Sequence, residues 1–88
     1  MKIREQKQFK KDLKKIEKQN KDIDKLDEVI WLLATNKILE PKYLDHPLSG
    51  NYKSYRKCHI EPDWLLIYKL SDDTLNLART GSHSELFS

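Results

Sequence analysis

Trp64-Leu65-Leu66-Ile67-Tyr68-Lys69-Leu70 is the stretch on which the fold turns. At a period of two, Trp64, Leu66, Tyr68 and Leu70 fall on one side of a strand and Leu65, Ile67 and Lys69 on the other, so both sides are largely apolar. Such a strand belongs at the centre of a sheet, with helices covering one side. Glu61-Pro62-Asp63 before it and Ser71-Asp72-Asp73 after it are turn-forming. Strand-like runs lie beyond both, at Ser54 to Ile60 and Thr74 to Gly81. Connections this short join antiparallel neighbours, which predicts a meander.

Upstream, residues 36 to 53 hold Pro41, Pro47 and Gly50 and read as a loop centred on Asp45-His46-Pro47-Leu48-Ser49-Gly50. Before the loop, two helical patterns follow one another. Phe9, Leu13 and Ile16 share one face of a first helix that starts at Gln6 and ends near Asn20. Ile23, Leu26, Val29, Ile30 and Leu33 make the stripe of a second, with Trp31 and Leu32 widening it and Asp22 or Asp24 at its start. Few residues join them, so they form an antiparallel hairpin, and Pro41 closes the helical region. Ile3 can open an edge strand. The expected fold is α+β, an N-terminal helical hairpin on a twisted antiparallel β-sheet, in a single domain of residues 1–88.

The charge is uneven. Residues 1 to 25 hold ten Lys or Arg against five Asp or Glu, while the remainder hold seven against nine. A basic segment of this kind favours a polyanion or an acidic protein as partner, and it is also what a well-solvated helix surface looks like. Cys58 is the single cysteine, so no intrachain disulfide forms and a reducing compartment suits the chain. No apolar run reaches the roughly 18 residues of a membrane span. Met1 to Lys15 is charged throughout, unlike a secretion signal, and the expected location is the cytoplasm.

Chemistry points to the C-terminal half. His46, His59 and His83 all lie at or beside strand ends or loops, where sites are commoner than cores. An imidazole titrating near neutrality both takes and gives a proton. Each also has a plain structural reading: His46 shaping a turn before Pro47, His59 facing solvent across strands, His83 capping the last turn. The case for a site rests on their combination with Asp63, Trp64 and Arg79. Asp63 can orient an imidazole or act as a base, or be an ordinary turn residue. Trp64 can stack on a base or point into the core. Arg79 needs a partner, which a phosphate or a structural ion pair supplies equally well. Gly81 permits a turn that brings His83 back over the sheet, and Phe87 can pack beneath it or stack on substrate. Without a Cys pair or a His-x-x-x-His spacing, neither metal nor other cofactor is expected. Cys58 is more naturally a small buried residue than a nucleophile.

Three segments together resemble the YafQ branch of the RelE-type toxins of bacterial toxin-antitoxin pairs. They are Asp45-His46-Pro47-Leu48-x-Gly50, His59-Ile60-Glu61-Pro62-Asp63-Trp64-Leu65-Leu66-Ile67-Tyr68, and Arg79-Thr80-Gly81-Ser82-His83 with Leu86-Phe87. The resemblance implies a RelE-like α+β domain and an mRNA interferase, an endoribonuclease that cuts message in the ribosome. It implies His46, His59, Asp63 and His83 as the catalytic set, Arg79 on the phosphate, and Trp64 and Phe87 as active-site aromatics. Lys57 replaces an acidic residue of relatives and is taken as a further substrate contact. Tyr52 stands for Trp and Ser54 for Gly. The implied partners are mRNA, a cognate antitoxin protein that wraps the basic face, and operator DNA bound jointly with it; no membrane is involved. The rival reading is a non-catalytic member of the same fold that binds nucleic acid or protein and acts with its antitoxin in operon repression.

Overall fold

The computed structural model describes residues 1–87. Its elements are β1 (Lys2–Glu5), α1 (Lys7–Lys18), α2 (Ile23–Ala34), β2 (His46–Pro47), β3 (Arg56–Glu61), β4 (Trp64–Ser71), β5 (Thr74–Gly81) and α3 (His83–Phe87), with 3-10 turns at Pro41–Tyr43 and Gly50–Tyr52. Both long helices end alike. Asn20 and Asn36 take left-handed conformations, φ 60° and 59°. The next amides, of Lys21 and Lys37, return to the carbonyls of Ile16 and Leu32, so each helix closes in a Schellman motif with asparagine in the usual glycine position. α2 therefore stops at Ala34, before Pro41, which opens a 3-10 turn instead of closing a helix. Its start is the expected one, with the Asp22 carboxylate accepting the Asp24 amide at 3.1 Å.

The sheet runs β1-β5-β4-β3-β2, with β4 in the middle as its two apolar sides require. β1 pairs parallel to β5, so the sheet is mixed and not wholly antiparallel. Its four residues are all exposed, leaving no alternation from which to read a direction. β2, a two-residue strand paired with β3 inside the predicted loop, is likewise too short to show a period. The β4–β5 hairpin turns on Asp72 and Asp73, both at positive φ (50° and 57°), as the right-handed twist of the strands demands.

On one face of the sheet Phe9 and Ile16 from α1 and Leu26, Val29 and Leu33 from α2 pack on Cys58, Ile60, Trp64, Leu66, Tyr68, Leu75 and Leu77. Trp31 lies outside this stripe and is exposed. On the opposite face Leu65, Ile67 and Ala78 are covered by Leu86 of α3 and by Leu48, Tyr52 and Tyr55 from the long loop. β4 is thus enclosed from both sides.

Trp64 shows no exposed surface, and its indole N–H donates to the Thr80 hydroxyl at 2.9 Å. We expect Trp64→Ala to cost about 3–5 kcal/mol in chemical denaturation, the range for emptying a large aromatic site. Loss of less than about 1 kcal/mol would mean that the indole is not the keystone of this core.

Candidate active site

Strand register decides which side chains reach the face of α3. Lys57 pairs with Ile67 and His59 with Leu65, so both share the side of Leu65 and Ile67, away from α1 and α2. Across the other edge His46 pairs with Lys57 and joins that side. Strict alternation in β5 puts Arg79 with Leu75 and Leu77, under the helices. The register jumps between the pairs Ile67–Arg79 and Tyr68–Leu77, leaving Ala78 as an extra residue. This bulge turns Arg79 onto the side of His59 and Lys57.

Fixed contacts hold the loop before His46. Asp45 accepts from the Tyr68 hydroxyl at 2.6 Å and from Arg56 Nε at 3.3 Å. His46 Nδ1 donates to the Leu44 carbonyl at 2.7 Å, and because that oxygen only accepts, the neutral ring keeps its lone pair on Nε2. His59 Nδ1 is buried with no partner in hydrogen-bonding geometry. Partial burial lowers the His59 pKa, and electrostatic coupling to Lys57, His46 and His83 lowers it further, against an opposite pull from the Tyr43 backbone. Lys57, His46 and His83 therefore all lie within electrostatic reach of His59.

α3 brings in His83 and Phe87. It leaves β5 at Gly81 (φ 155°), where a Cβ would sit 3.1 Å from Glu85 Oε1. Ser82 and Glu85 form a reciprocal capping box: the Ser82 amide donates to Glu85 Oε1 at 2.8 Å and the Glu85 amide to Ser82 Oγ at 3.2 Å. Lys15 of α1 meets the other Glu85 oxygen at 2.6 Å. Lys15, then the Ser82 backbone, pull the Glu85 pKa down to about 2. Asp63 Oδ1 accepts the His83 amide at 3.0 Å, tying the β3–β4 turn to the same helix. Phe87 then lies 5.1 Å from the His83 ring and 5.9 Å from Tyr52, with Lys57 Nζ 5.3 Å from its own ring centre.

The structure therefore gathers His46, Lys57, His59, His83 and Phe87 on one surface, with Asp63 beneath α3 and Arg79 alongside through Tyr52. Trp64 does not join them. Its enclosed ring has no face for a nucleobase, because β4 points it under the helices, which corrects its reading as a substrate contact. Cys58 is equally enclosed, and burial, then the Asp45 charge, push its thiol up to about 12, which suits no nucleophile. Asp12 and Tyr52 were missed as neighbours of Arg79. The available signal for Asp12 was a carboxylate on the apolar stripe between Phe9 and Ile16.

Over residues 1–88 the sequence matches the family model for the bacterial toxin of type II toxin-antitoxin systems, YafQ. The chain belongs to the YafQ toxin family. The mRNA interferase toxin YafQ of Escherichia coli strain K12 is 49% identical over 81 residues, covering 91% of this chain and 88% of that protein. YafQ in the E. coli DinJ–YafQ complex has 47% identity and a TM-score of 0.91, covering 98% of this chain and 97% of that one. A metal-bound toxin from Helicobacter pylori has 48% identity and a TM-score of 0.93, with 99% of both chains covered. The fold of this YafQ family member, three helices on a five-stranded mixed sheet, is shared with these structures.

Glu85→Ala removes a capping partner and an ion pair together, and about 1 kcal/mol of local stability should go with them. Amide exchange at residues 84 to 87 should quicken while β4 stays protected. Unaltered protection at 84 to 87 would show that packing of Leu86 and Phe87 alone holds α3.

Proposed function

We propose that this chain is the toxin of a type II toxin-antitoxin pair, an endoribonuclease that cuts mRNA by acid-base transfer to the ribose 2′-hydroxyl. The observation that supports this most is the grouping of three imidazoles with the cations Lys57 and Arg79 on one exposed surface. In this reaction the 2′-oxygen attacks the adjacent phosphorus as its proton passes to a base, and the P–O5′ bond breaks as an acid protonates the leaving oxygen. The products are a 2′,3′-cyclic phosphate and a 5′-hydroxyl. His59, whose pKa burial and the Lys57 charge lower so that its neutral form is favoured, is the base, with His46 Nε2 assisting. His83 is the acid, Arg79 contacts the phosphate, and Lys57 and Phe87 contact the strand. Asp63, engaged with the His83 amide, positions that acid and is not itself the base. In this scheme the imidazoles and cations carry every proton and charge of the step, and no metal or other cofactor is assigned a part.

By analogy with the DinJ–YafQ complex, the protein partner is a cognate antitoxin; operator DNA, bound jointly with it, is the further partner of this reading. The place of action is the cytoplasm, on ribosome-bound message; no helix among the described residues is long and apolar enough to cross a membrane. A second reading draws on the exposed Lys10, Lys14 and Lys18 of α1, which suit duplex DNA and a purely repressive role.

Purified protein incubated with defined RNA, with and without ribosomes and EDTA, should yield 2′,3′-cyclic phosphate ends at a rate indifferent to EDTA. His83→Ala should slow cutting by about 10² to 10⁴ while leaving the fold intact. Cutting of an all-deoxy substrate, or undiminished activity of the variant, would defeat the mechanism; binding to duplex DNA with no cleavage would favour repression.

The pH profile supplies a further check. A base must be unprotonated, so activity falls as pH drops through its pKa, and the Lys57 charge moves that limb to lower pH. Lys57→Gln should therefore shift the acid limb of kcat/KM upward, and an unmoved limb would remove His59 from the role of base.

A further inference from the structure

We infer that Asp12, in the first helix, is a positioning residue that sets the Arg79 guanidinium for the scissile phosphate. The inference rests on the proposed role of Arg79. Arg79 Nε donates to Asp12 Oδ2 at 2.7 Å and Nη2 to Oδ1 at 3.3 Å, a side-on pairing along one edge of the fork. A guanidinium has five N–H donors; Asp12 takes two of them and the Tyr52 hydroxyl lies against the same group. The end-on edge, one hydrogen from Nη1 and one from Nη2, faces away from Asp12 and is the edge that matches a phosphate. Ion pair and phosphate contact are thus compatible in one side chain.

Asp12 is built as an anchor. Beyond the two Arg79 bonds it accepts from Gln8 Nε2 at 3.2 Å on Oδ1 and from the Thr80 amide at 3.2 Å on Oδ2. Each oxygen therefore has two donors, and the residue is 8% exposed. Arg79 keeps about a quarter of its side chain exposed, 23% against 10% for Asp12, and on the Asp12 side it lines a polar cleft with Lys11, Lys15 and Glu85. The pairing with Asp12, ahead of any other influence, also raises its already high pKa. Stability alone is a weak reason for such a pair, since buried ion pairs do little better than apolar residues of the same volume. The bulge at Ala78 gives the stronger reason, because it turns Arg79 onto the sheet face that carries Lys57 and His59 at the expense of sheet regularity. A guanidinium held in place before substrate arrives meets developing phosphate charge without reorganising.

Asp12→Asn keeps the shape but turns one acceptor into a donor, so the fork loses its fixed edge while the arginine charge remains. RNA should still be attracted, leaving KM within about threefold, whereas kcat should fall by about 10- to 100-fold, as misplacement of a positioned group does. Arg79→Ala should fall at least as far, and Asp12→Asn added to it should lower kcat no further. Normal cutting by Arg79→Ala would overturn the role of Arg79 itself. Crippled Arg79→Ala beside unimpaired Asp12→Asn would overturn only the positioning. A loss on Asp12→Asn that repeats in the Arg79→Ala background would also overturn it, as a general structural defect. Thermal melts check folding; if Asp12→Asn is unfolded, Asp12→Glu, which keeps the charge and lengthens the arm, takes its place with the same kcat and double-variant criteria.

Discussion

Trp64 to Tyr68 are buried on both sides of the sheet, and that constraint organises the rest of the molecule. One side is covered by the two long helices. The other would present Leu65 and Ile67 to water if nothing lay over them, a cost of roughly 1.5–3 kcal/mol for each large aliphatic side chain left exposed. The second cover comes from α3 and the tyrosines of the long loop. Those same segments bring His83, Phe87 and Tyr52 to the candidate site, so the proposed RNA-facing surface is the rim of a lid that the core needs in any case.

Arg79 shows how a small irregularity changes what a strand can do. Regular pairing would bury its charge under α1 and α2 among Leu75 and Leu77. One extra residue at Ala78 reverses the side, and Asp12 then meets the guanidinium from α1. The lysine-rich helix thus has two faces with separate duties: its outer lysines are solvated, while Asp12 and Lys15 reach Arg79 and Glu85 at the site. Net charge alone assigned that helix only the outer duty.

Much of the fold was legible because alternation and helical spacing are local. β4 and β5 and the stripe Leu26, Val29, Leu33 lie where their periods put them, and β3 begins two residues later than its pattern. The direction of β1 was not legible, since four exposed residues encode no facing. Arg79's side was hidden by the bulge, and Trp64's by the fact that an aromatic beside a turn reads equally well as a stacking platform or a core residue; only its packing separates the two. The gathering of His46, Lys57, His59 and His83 came from resemblance, because contacts between residues so far apart leave no spacing in the chain. Ser54 adopts φ 78°, a conformation glycine takes without strain.

A five-residue helix is too short to persist in water by itself, so the orientation of His83 depends on the groups that clamp α3. Its chief clamp, Glu85, gains a proton only near pH 2. The sign follows from a depressed carboxylate: its contribution is in force above its ordinary range and fades only as acidity approaches that value. Across the physiological span this carboxylate therefore keeps its charge, and the segment that bears His83 stays latched to α1 and to its own first turn while acidity varies around neutrality.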